Sequence, residues 1–137
     1  MAFKDPSVSF IKRLKAFEET ISSRDFDFIG INSRIEDFGR RHMMDQRTIV
    51  GAQTVFEELG VQTILPRLGD QVDLRVTIEY SEETGHAQLR LFYNGGFDPL
   101  ADTDRLSGVL IDNVSVETEY MALTEDAYTD CVKVKLK

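Results

Sequence analysis

The segment with the clearest capacity for chemistry is a glycine-containing stretch, Leu91-Phe92-Tyr93-Asn94-Gly95-Gly96-Phe97-Asp98-Pro99-Leu100. It begins where an alternating apolar pattern, typical of a strand, comes to an end. Two adjacent glycines at such a point let the backbone come close to a ligand or to another strand. A glycine turn followed by an Asp-Pro turn is the simpler interpretation of the same residues. Asn94, Gly95, Gly96 and Asp98 are therefore candidate cofactor-binding residues, with a plain loop as the alternative.

Two further features, one on each side of this stretch, favour a binding site. Upstream, Glu58 and Gln62 are four residues apart in a predicted helix and so share one helical face. Downstream, Gly108 lies near the start of a helix predicted from Asp104. A helix N-terminus attracts phosphate groups, and an acidic helix face can hold a magnesium ion. Glu58 is the candidate catalytic residue, Gln62 the candidate metal ligand, and Gly108 a further candidate cofactor-binding residue.

Composition and charge limit the classes of protein to which the chain can belong. The 137 residues include 16 Lys and Arg against 24 Asp and Glu, and 42% are hydrophobic, which is typical of one globular domain. The net charge of the chain is −8. Residues 1–47 carry a net charge of +1, so residues 48–137 carry a net charge of −9. Binding of nucleic acid requires a basic surface, which this charge distribution does not provide. The negative charge of residues 48–137 also disfavours binding of a triphosphate. The absence of a signal-peptide pattern or a run of about 20 apolar residues, with Cys131 as the single cysteine, predicts a cytoplasmic protein without membrane insertion.

The first forty-four residues are predicted to form two helices because their apolar residues recur at helical spacing. The first begins at Asp5-Pro6, where proline suits the first helical position. Its apolar stripe consists of Phe10, Leu14, Phe17 and Ile21. The stripe of the second helix consists of Phe28, Ile31, Ile35 and Phe38. We expect this pair, residues 1–44, to pack on the rest of the chain or to extend from it.

A third helix is predicted from Asp45 or Thr48 to Leu65, where Pro66 follows. It contains Gly51 and Gly60, each of which costs about 1 kcal/mol relative to alanine in a helix. Close packing is the expected compensation, and room for a ligand is the alternative.

Period-two alternation predicts four strands in two hairpins, residues 72–80 with 87–93 and residues 115–120 with 132–136. The short helix from Asp104 separates the hairpins. Strands with one apolar face need a single layer of helices over them. The predicted fold is therefore α+β, a two-layer sandwich whose largely antiparallel four-stranded sheet is covered on one face by helices, in the order ααα-ββ-α-ββ.

Over residues 45–137, this order resembles the histidine-kinase-like ATPase superfamily, also called the Bergerat fold, and its anti-sigma-factor serine kinase branch in particular. In that family a helix carries an acid that orients the attacking water or hydroxyl, followed four positions later by an asparagine that binds magnesium. Glu58 and Gln62 stand at these positions. The family's second motif is matched closely by Phe97-Asp98-Pro99-Leu100 and in part by Gly95-Gly96.

The resemblance implies ATP and magnesium as ligands, but three departures fall on the ligand-binding motifs. Gln62 replaces the asparagine, although magnesium demands strict geometry at about 2.0–2.1 Å. Tyr93 or Asn94 stands where the family has the aspartate that recognises adenine. The third motif, Gly-x-Gly before a helix, is reduced to Gly108. These departures predict that the scaffold is kept and its ATPase chemistry is lost.

The sequence thus predicts a non-catalytic regulatory or protein-interaction module of a bacterial, anti-sigma-factor-like kind. A protein partner is expected, and homodimerisation through the helical pair at residues 1–44 is one form of such contact. Two alternatives remain open. The chain is an ATP-dependent serine/threonine protein kinase with Glu58 as its base, or it is the regulatory domain of a larger ATP-driven assembly such as a transporter's ATP-binding subunit.

Overall fold

A computed structural model describes residues 14–124 and 126–137, and its described part is an α+β fold built on a five-stranded antiparallel sheet. The strands are β1 (Leu14–Ile21), β2 (Leu74–Ser81), β3 (Ala87–Tyr93), β4 (Ser115–Ala122) and β5 (Asp130–Leu136). The α-helices are α1 (Phe28–Arg41), α2 (Gln46–Val55) and α3 (Arg105–Val114). A π-helix (Phe56–Ile64) and a 3₁₀ turn (Leu65–Arg67) continue α2, and a second 3₁₀ turn (Pro99–Ala101) precedes α3.

The first predicted helix is wrong over the residues that the structure describes. Residues 14–21 form β1, which pairs along its length with β2, so that Phe17 lies opposite Ile78 and Ile21 opposite Leu74. Phe17 and Ile21 are four residues apart, a spacing that suits a helical face and equally one face of a strand. The edge of β2 that β1 pairs with offers backbone hydrogen bonds, and these favour a strand over a helix at residues 14–21. Residues 6–13 of the predicted helix lie outside the described residues.

The sheet therefore has five strands where four were predicted, and the described elements begin with a strand. Its strand order is β1-β2-β3-β5-β4. Both predicted hairpins, β2 with β3 and β4 with β5, are confirmed. Because β5 pairs antiparallel with both β3 and β4, the latter two run parallel, and α3 connects them. This crossover brings the start of α3 beside the π-helix.

The predicted second and third helices are confirmed as α1 and as the continuous helical run from α2 into the π-helix. Asp27 caps α1 by accepting a hydrogen bond from the Gly30 amide at 2.9 Å. Asp45 caps α2 by accepting from the Arg47 amide at 3.0 Å. Each cap satisfies an amide that has no partner within the helix.

Packing accounts for Gly51 but not for Gly60. A Cβ on Gly51 would lie 3.3 Å from the Cβ of Val114, tighter than most real contacts, so the glycine lets α2 and α3 approach. A Cβ on Gly60 would make ordinary contacts of 3.6 Å and 3.7 Å with Leu91 and Leu74. The close-packing prediction is thus confirmed at Gly51 only.

Among the described residues, one face of the sheet and the helices over it enclose a hydrophobic core. Seven aliphatic core side chains of the three central strands are fully buried: Leu74, Val76, Ile78, Leu89, Leu91, Val132 and Val134. Burial of each such side chain is worth about 1.5–3 kcal/mol. None of the described helices has the length and apolar content needed to cross a bilayer.

Candidate functional site

Glu58 lies in the first turn of the π-helix, and its carboxylate has a partner within the chain. The Ser107 hydroxyl in α3 donates a hydrogen bond to Glu58 Oε2 at 2.6 Å, and Ser107 is only 4% exposed. The Ser107 amide in turn donates to Oδ1 of Asp104, which caps α3, at 2.7 Å. The candidate catalytic carboxylate therefore joins the π-helix to the first turn of α3.

The π-helical winding places Gln62 at the surface beside a small cavity. The Leu65 amide donates to the Gly60 carbonyl five residues earlier, which is the hydrogen-bond pattern of a π-helix. The cavity has a volume of about 270 Å³ and is lined by Gln62, Thr63, Pro66, Arg67, Asp102 and Asp104. Arg67 forms an ion pair with Asp102 across it. An amide and two carboxylates therefore surround this cavity, and one of the carboxylates already has a cationic partner.

The amides of the two candidate glycines point to an internal carboxylate, that of Asp130 at the start of β5. Gly95 and Gly96 donate to Asp130 Oδ2 at 2.9 Å and 2.8 Å. The Thr129 hydroxyl donates to the same oxygen, and the Tyr120 hydroxyl donates to Oδ1, both at 2.6 Å. Asp130 is 0% exposed, although both glycines lie at the surface. These five residues are called the Asp130 cluster below.

The hydrogen bonds of the Asp130 cluster favour its ionised form. Burial by itself raises the pKa of Asp130, but the hydrogen bonds from Thr129, Tyr120, Gly95 and Gly96 outweigh burial and hold that pKa below its usual value. The hydrogen bond to Asp130, together with burial, raises the pKa of Tyr120 to about 12. At neutral pH the cluster therefore contains a carboxylate anion that accepts from four neutral donors.

Asn94 and Asp98, the other candidate residues of the glycine loop, also have local partners. Asn94 Oδ1 accepts a hydrogen bond from the Thr129 amide at 2.9 Å, next to the Asp130 cluster. Asp98 Oδ1 accepts from the Leu100 amide at 2.9 Å and caps the 3₁₀ turn at Pro99. Both side chains thus stabilise the conformation of the loop.

Phe97 fills the inside of the loop. Its carbonyl accepts a hydrogen bond from the Tyr93 hydroxyl at 2.7 Å, and the two rings lie 5.1 Å apart. A Cβ on Gly95 would lie 2.3 Å from the Phe97 ring, so this position requires glycine for close approach. Gly96 has a φ of +69°, in the left-handed region that favours glycine. The glycine pair is thereby explained by the turn itself.

Gly108 lies within α3, not in a loop that precedes it. Its amide donates to the Asp104 carbonyl at 2.9 Å, the ordinary hydrogen bond of a first helical turn. Outside its own helix, the nearest atom to a Cβ on this glycine would be Thr103 Oγ1 at 3.6 Å.

The candidate residues fall into two groups that Arg67 connects. Glu58, Gln62 and the start of α3 lie together, whereas Gly95 and Gly96 are directed towards Asp130. The guanidinium of Arg67 lies 3.9 Å from the centre of the Phe97 ring and so joins the cavity to the glycine loop. Sequence reasoning missed Asp130, Ser107 and Arg67. Only Asp130 left a signal, as an acid directly before the apolar residues of a strand.

Neither a metal-binding arrangement among the described residues nor a match to known proteins identifies the site. Within the described ranges, no group of three or more His, Cys, Asp or Glu side chains is arranged to hold a metal ion. Comparison with protein-family models and with curated proteins finds no match to this chain.

Proposed function

We propose that this chain is a non-catalytic regulatory or protein-interaction module on a histidine-kinase-like ATPase scaffold. The observation that carries the proposal is that the Gly95 and Gly96 amides donate to the buried carboxylate of Asp130. In a phosphate-binding loop such amides point to the ligand anion. Here an anion of the chain itself takes that place. The helices, hairpins and connecting helix of residues 45–137 support the scaffold by their order.

A magnesium nucleotide fits these residues poorly. A phosphate that reached the same amides would come within about 4 Å of the Asp130 carboxylate, where two like charges repel by about 4 kcal/mol at an effective dielectric constant of 20. Glu58 is already the acceptor for Ser107. Gln62 is one methylene longer than the asparagine that the resemblance calls for. No step of an ATP reaction is therefore assigned to these residues.

The serine/threonine kinase alternative is favoured by one observation, the cavity beside the helix that carries Glu58. Gln62, Asp102 and Asp104 line it, and their side-chain oxygens are of the type that magnesium binds. Its volume of about 270 Å³ is below the range of about 300–1,000 Å³ that is usual for ligand pockets. The hydrogen bonds of the Asp130 cluster are stronger evidence than this cavity, because they occupy the Gly95 and Gly96 amides directly.

Thermal unfolding with and without magnesium-ATP separates these functions. A ligand at 100 times its Kd stabilises its protein by about 2.7 kcal/mol. With an unfolding entropy of about 2.1 cal/mol/K per residue, that gain raises the Tm of a chain of this size by about 9 °C. We expect no increase at millimolar ATP. An increase, together with phosphate transfer that Glu58→Ala abolishes and the control Glu57→Ala retains, would establish the kinase instead.

The proposal includes a protein partner, with homodimerisation through residues 1–44 as one form of that contact. Within the part of the chain that the structure describes, β1 is an edge strand that pairs only with β2, which supports a contact of this kind. Solution mass measured across a concentration series tests this contact. We expect a dimer or a copurifying partner protein, and a strict monomer with no partner would count against this part of the proposal.

A further inference from the structure

Asn94 and Gly95 form the one Asn-Gly sequence of the chain, and they lie at its surface. The chain has three asparagines, and the other two, Asn32 and Asn113, precede serine and valine. A glycine after asparagine has no side chain to hinder its amide nitrogen, which can attack the asparagine side chain. Asn94 and Gly95 are both exposed, so water, the second reactant, can reach them.

The reaction open to such a sequence converts the side-chain amide of Asn94 into a carboxylic acid. The Gly95 nitrogen loses its proton and forms a bond to Cγ of Asn94, while the bond between Cγ and Nδ2 breaks. Nδ2 takes up the proton and leaves as ammonia, and a cyclic imide remains. Water then opens the imide at either of its carbonyls. The products are aspartate and isoaspartate, in which the backbone continues through the former side chain.

In the folded chain, two consecutive residues, Thr129 and Asp130, hold both reacting groups. The Thr129 amide donates a hydrogen bond to Asn94 Oδ1 at 2.9 Å, and the Gly95 amide donates to Asp130 Oδ2 at 2.9 Å. The first hydrogen bond restrains the side chain whose Cγ must reach the Gly95 nitrogen. The second keeps the proton on that nitrogen, because an amide anion beside the Asp130 carboxylate would bring two like charges together.

The acceptor of the Gly95 amide is itself firmly held. Asp130 is 0% exposed and accepts from all four donors of the Asp130 cluster. The Phe97 ring also packs against Gly95, where a Cβ would lie 2.3 Å from it. The Gly95 nitrogen is therefore free to react only when the loop opens locally.

We propose that Asn94 is a modification site that the Asp130 cluster controls, intact while the cluster is closed and cyclising with Gly95 when the cluster opens. Aspartate at position 94 adds a negative charge at the Thr129 amide, next to Asp130. Isoaspartate lengthens the backbone by a methylene just before the amides of Gly95 and Gly96. Either product weakens the hydrogen bonds that close the loop, so the modification opens it irreversibly. The site needs neither a protein partner nor a nucleotide.

Incubation of the full chain in mildly alkaline buffer, followed by peptide mapping, tests this proposal. Mass spectrometry detects the exchange of amide for acid at Asn94, and chromatography separates aspartate from isoaspartate. We expect Asn94 to react at least about tenfold faster in the chain unfolded by urea than in the native chain. Equal rates, a faster rate in the native chain, or no reaction in the unfolded chain would overturn the proposal.

A variant of the cluster separates local protection from global stability. Asp130→Asn keeps the size of the side chain and removes its charge, and we expect Asn94 to react at least about tenfold faster than in the wild type. The control is the wild type in enough urea to match the free energy of unfolding of the variant, and it should react more slowly. Equal rates at matched stability would show that global unfolding alone exposes Asn94, which would overturn control by the cluster. Asn113, which precedes valine within α3, is the internal control and should stay intact.

Hydrogen exchange of the Gly95 amide measures the same local opening independently. We expect the exchange rate at Gly95 and the reaction rate at Asn94 to rise together in Asp130→Asn. Faster exchange at Gly95 with no faster reaction at Asn94 would overturn the proposal. Magnesium-ATP should change neither rate. Protection of Asn94 by nucleotide would overturn the proposed function while leaving the modification site in place.

Discussion

Replacement of Asp130 by alanine removes the common acceptor of four hydrogen bonds. The amides of Gly95 and Gly96 and the hydroxyls of Thr129 and Tyr120 all lose their partner at once. Because these donors come from the glycine loop, from β4 and from the residue just before β5, the substitution loosens the junction between them. The core side chains of the sheet are left in place.

The loss of stability in Asp130→Ala depends on the surroundings of each donor. A buried donor that loses its acceptor costs about 1–3 kcal/mol, and the lower end applies here because Gly95 and Gly96 lie at the surface, where water can replace part of the loss. The two hydroxyls can rotate towards other acceptors. Together these losses amount to about 3 kcal/mol, and at about 2.1 cal/mol/K per residue they lower the Tm by about 10 °C.

The pH dependence of the same variant provides an independent check. The pKa of Asp130 is lowered in the folded chain, so its carboxylate stabilises the fold above its unfolded pKa of about 3.9, and that stability is lost as the pH falls through the folded pKa. The difference in stability between the wild type and Asp130→Asn should therefore be largest near neutral pH and shrink in acid.

Urea unfolding followed by circular dichroism at neutral and acidic pH measures both effects. Asp70→Asn, at an exposed position without a hydrogen bond to another described residue, is the matched control and should match the wild type. Equal stability of Asp130→Ala and the control at neutral pH would refute the role of the Asp130 cluster. So would a loss of stability in Asp130→Asn that stays the same in acid.

Three further substitutions or titrations test other parts of the fold. Met43, two residues after the end of α1, has a φ of +59°. Met43→Gly should therefore raise stability by about 1 kcal/mol in thermal unfolding, while Met43→Ala, which keeps a Cβ, should not. Gly39→Ala should lower stability by about 1–3 kcal/mol, because the new Cβ would lie 2.4 Å from Cγ1 of buried Ile49; a neutral result would show that the helices can separate freely. Ultraviolet titration should give Tyr120 a pKa of about 12 that falls towards 10 in Asp130→Asn, and an unchanged value would contradict the hydrogen bond between them.

The spacing of apolar residues predicted most of the helices and strands. It failed where the same spacing fits both a helix and a strand. The stripe of α1 fits only a helix, and the alternation in β2 and β3 fits only a strand, so both were predictable. The spacing of Phe17 and Ile21 fits either period, and the hydrogen-bonding edge of β2 that decides between them lies more than fifty residues further along the chain. No local pattern contains that information.

The candidate site was predictable as a set of positions but not as a set of contacts. The spacing of Glu58 and Gln62 and the glycine pair indicated which segments matter. The partners of Gly95 and Glu58 lie 35 and 49 residues away in sequence, and only the folded sheet and helices bring them together. Asp130 begins a strand, and its sequence pattern is that of an ordinary turn residue. Neither its burial nor its four hydrogen-bond donors can be inferred from the neighbouring residues.

The central claim is that Asp130, and not a nucleotide, is the anion at the glycine-loop amides. Backbone amide NMR of the full chain at neutral pH, with magnesium-ATP added to millimolar concentration, tests it most directly at Gly95 and Gly96. We expect neither amide resonance to shift with nucleotide, and both to shift in Asp130→Asn without any nucleotide present. A saturable shift of both amides on addition of magnesium-ATP would contradict it.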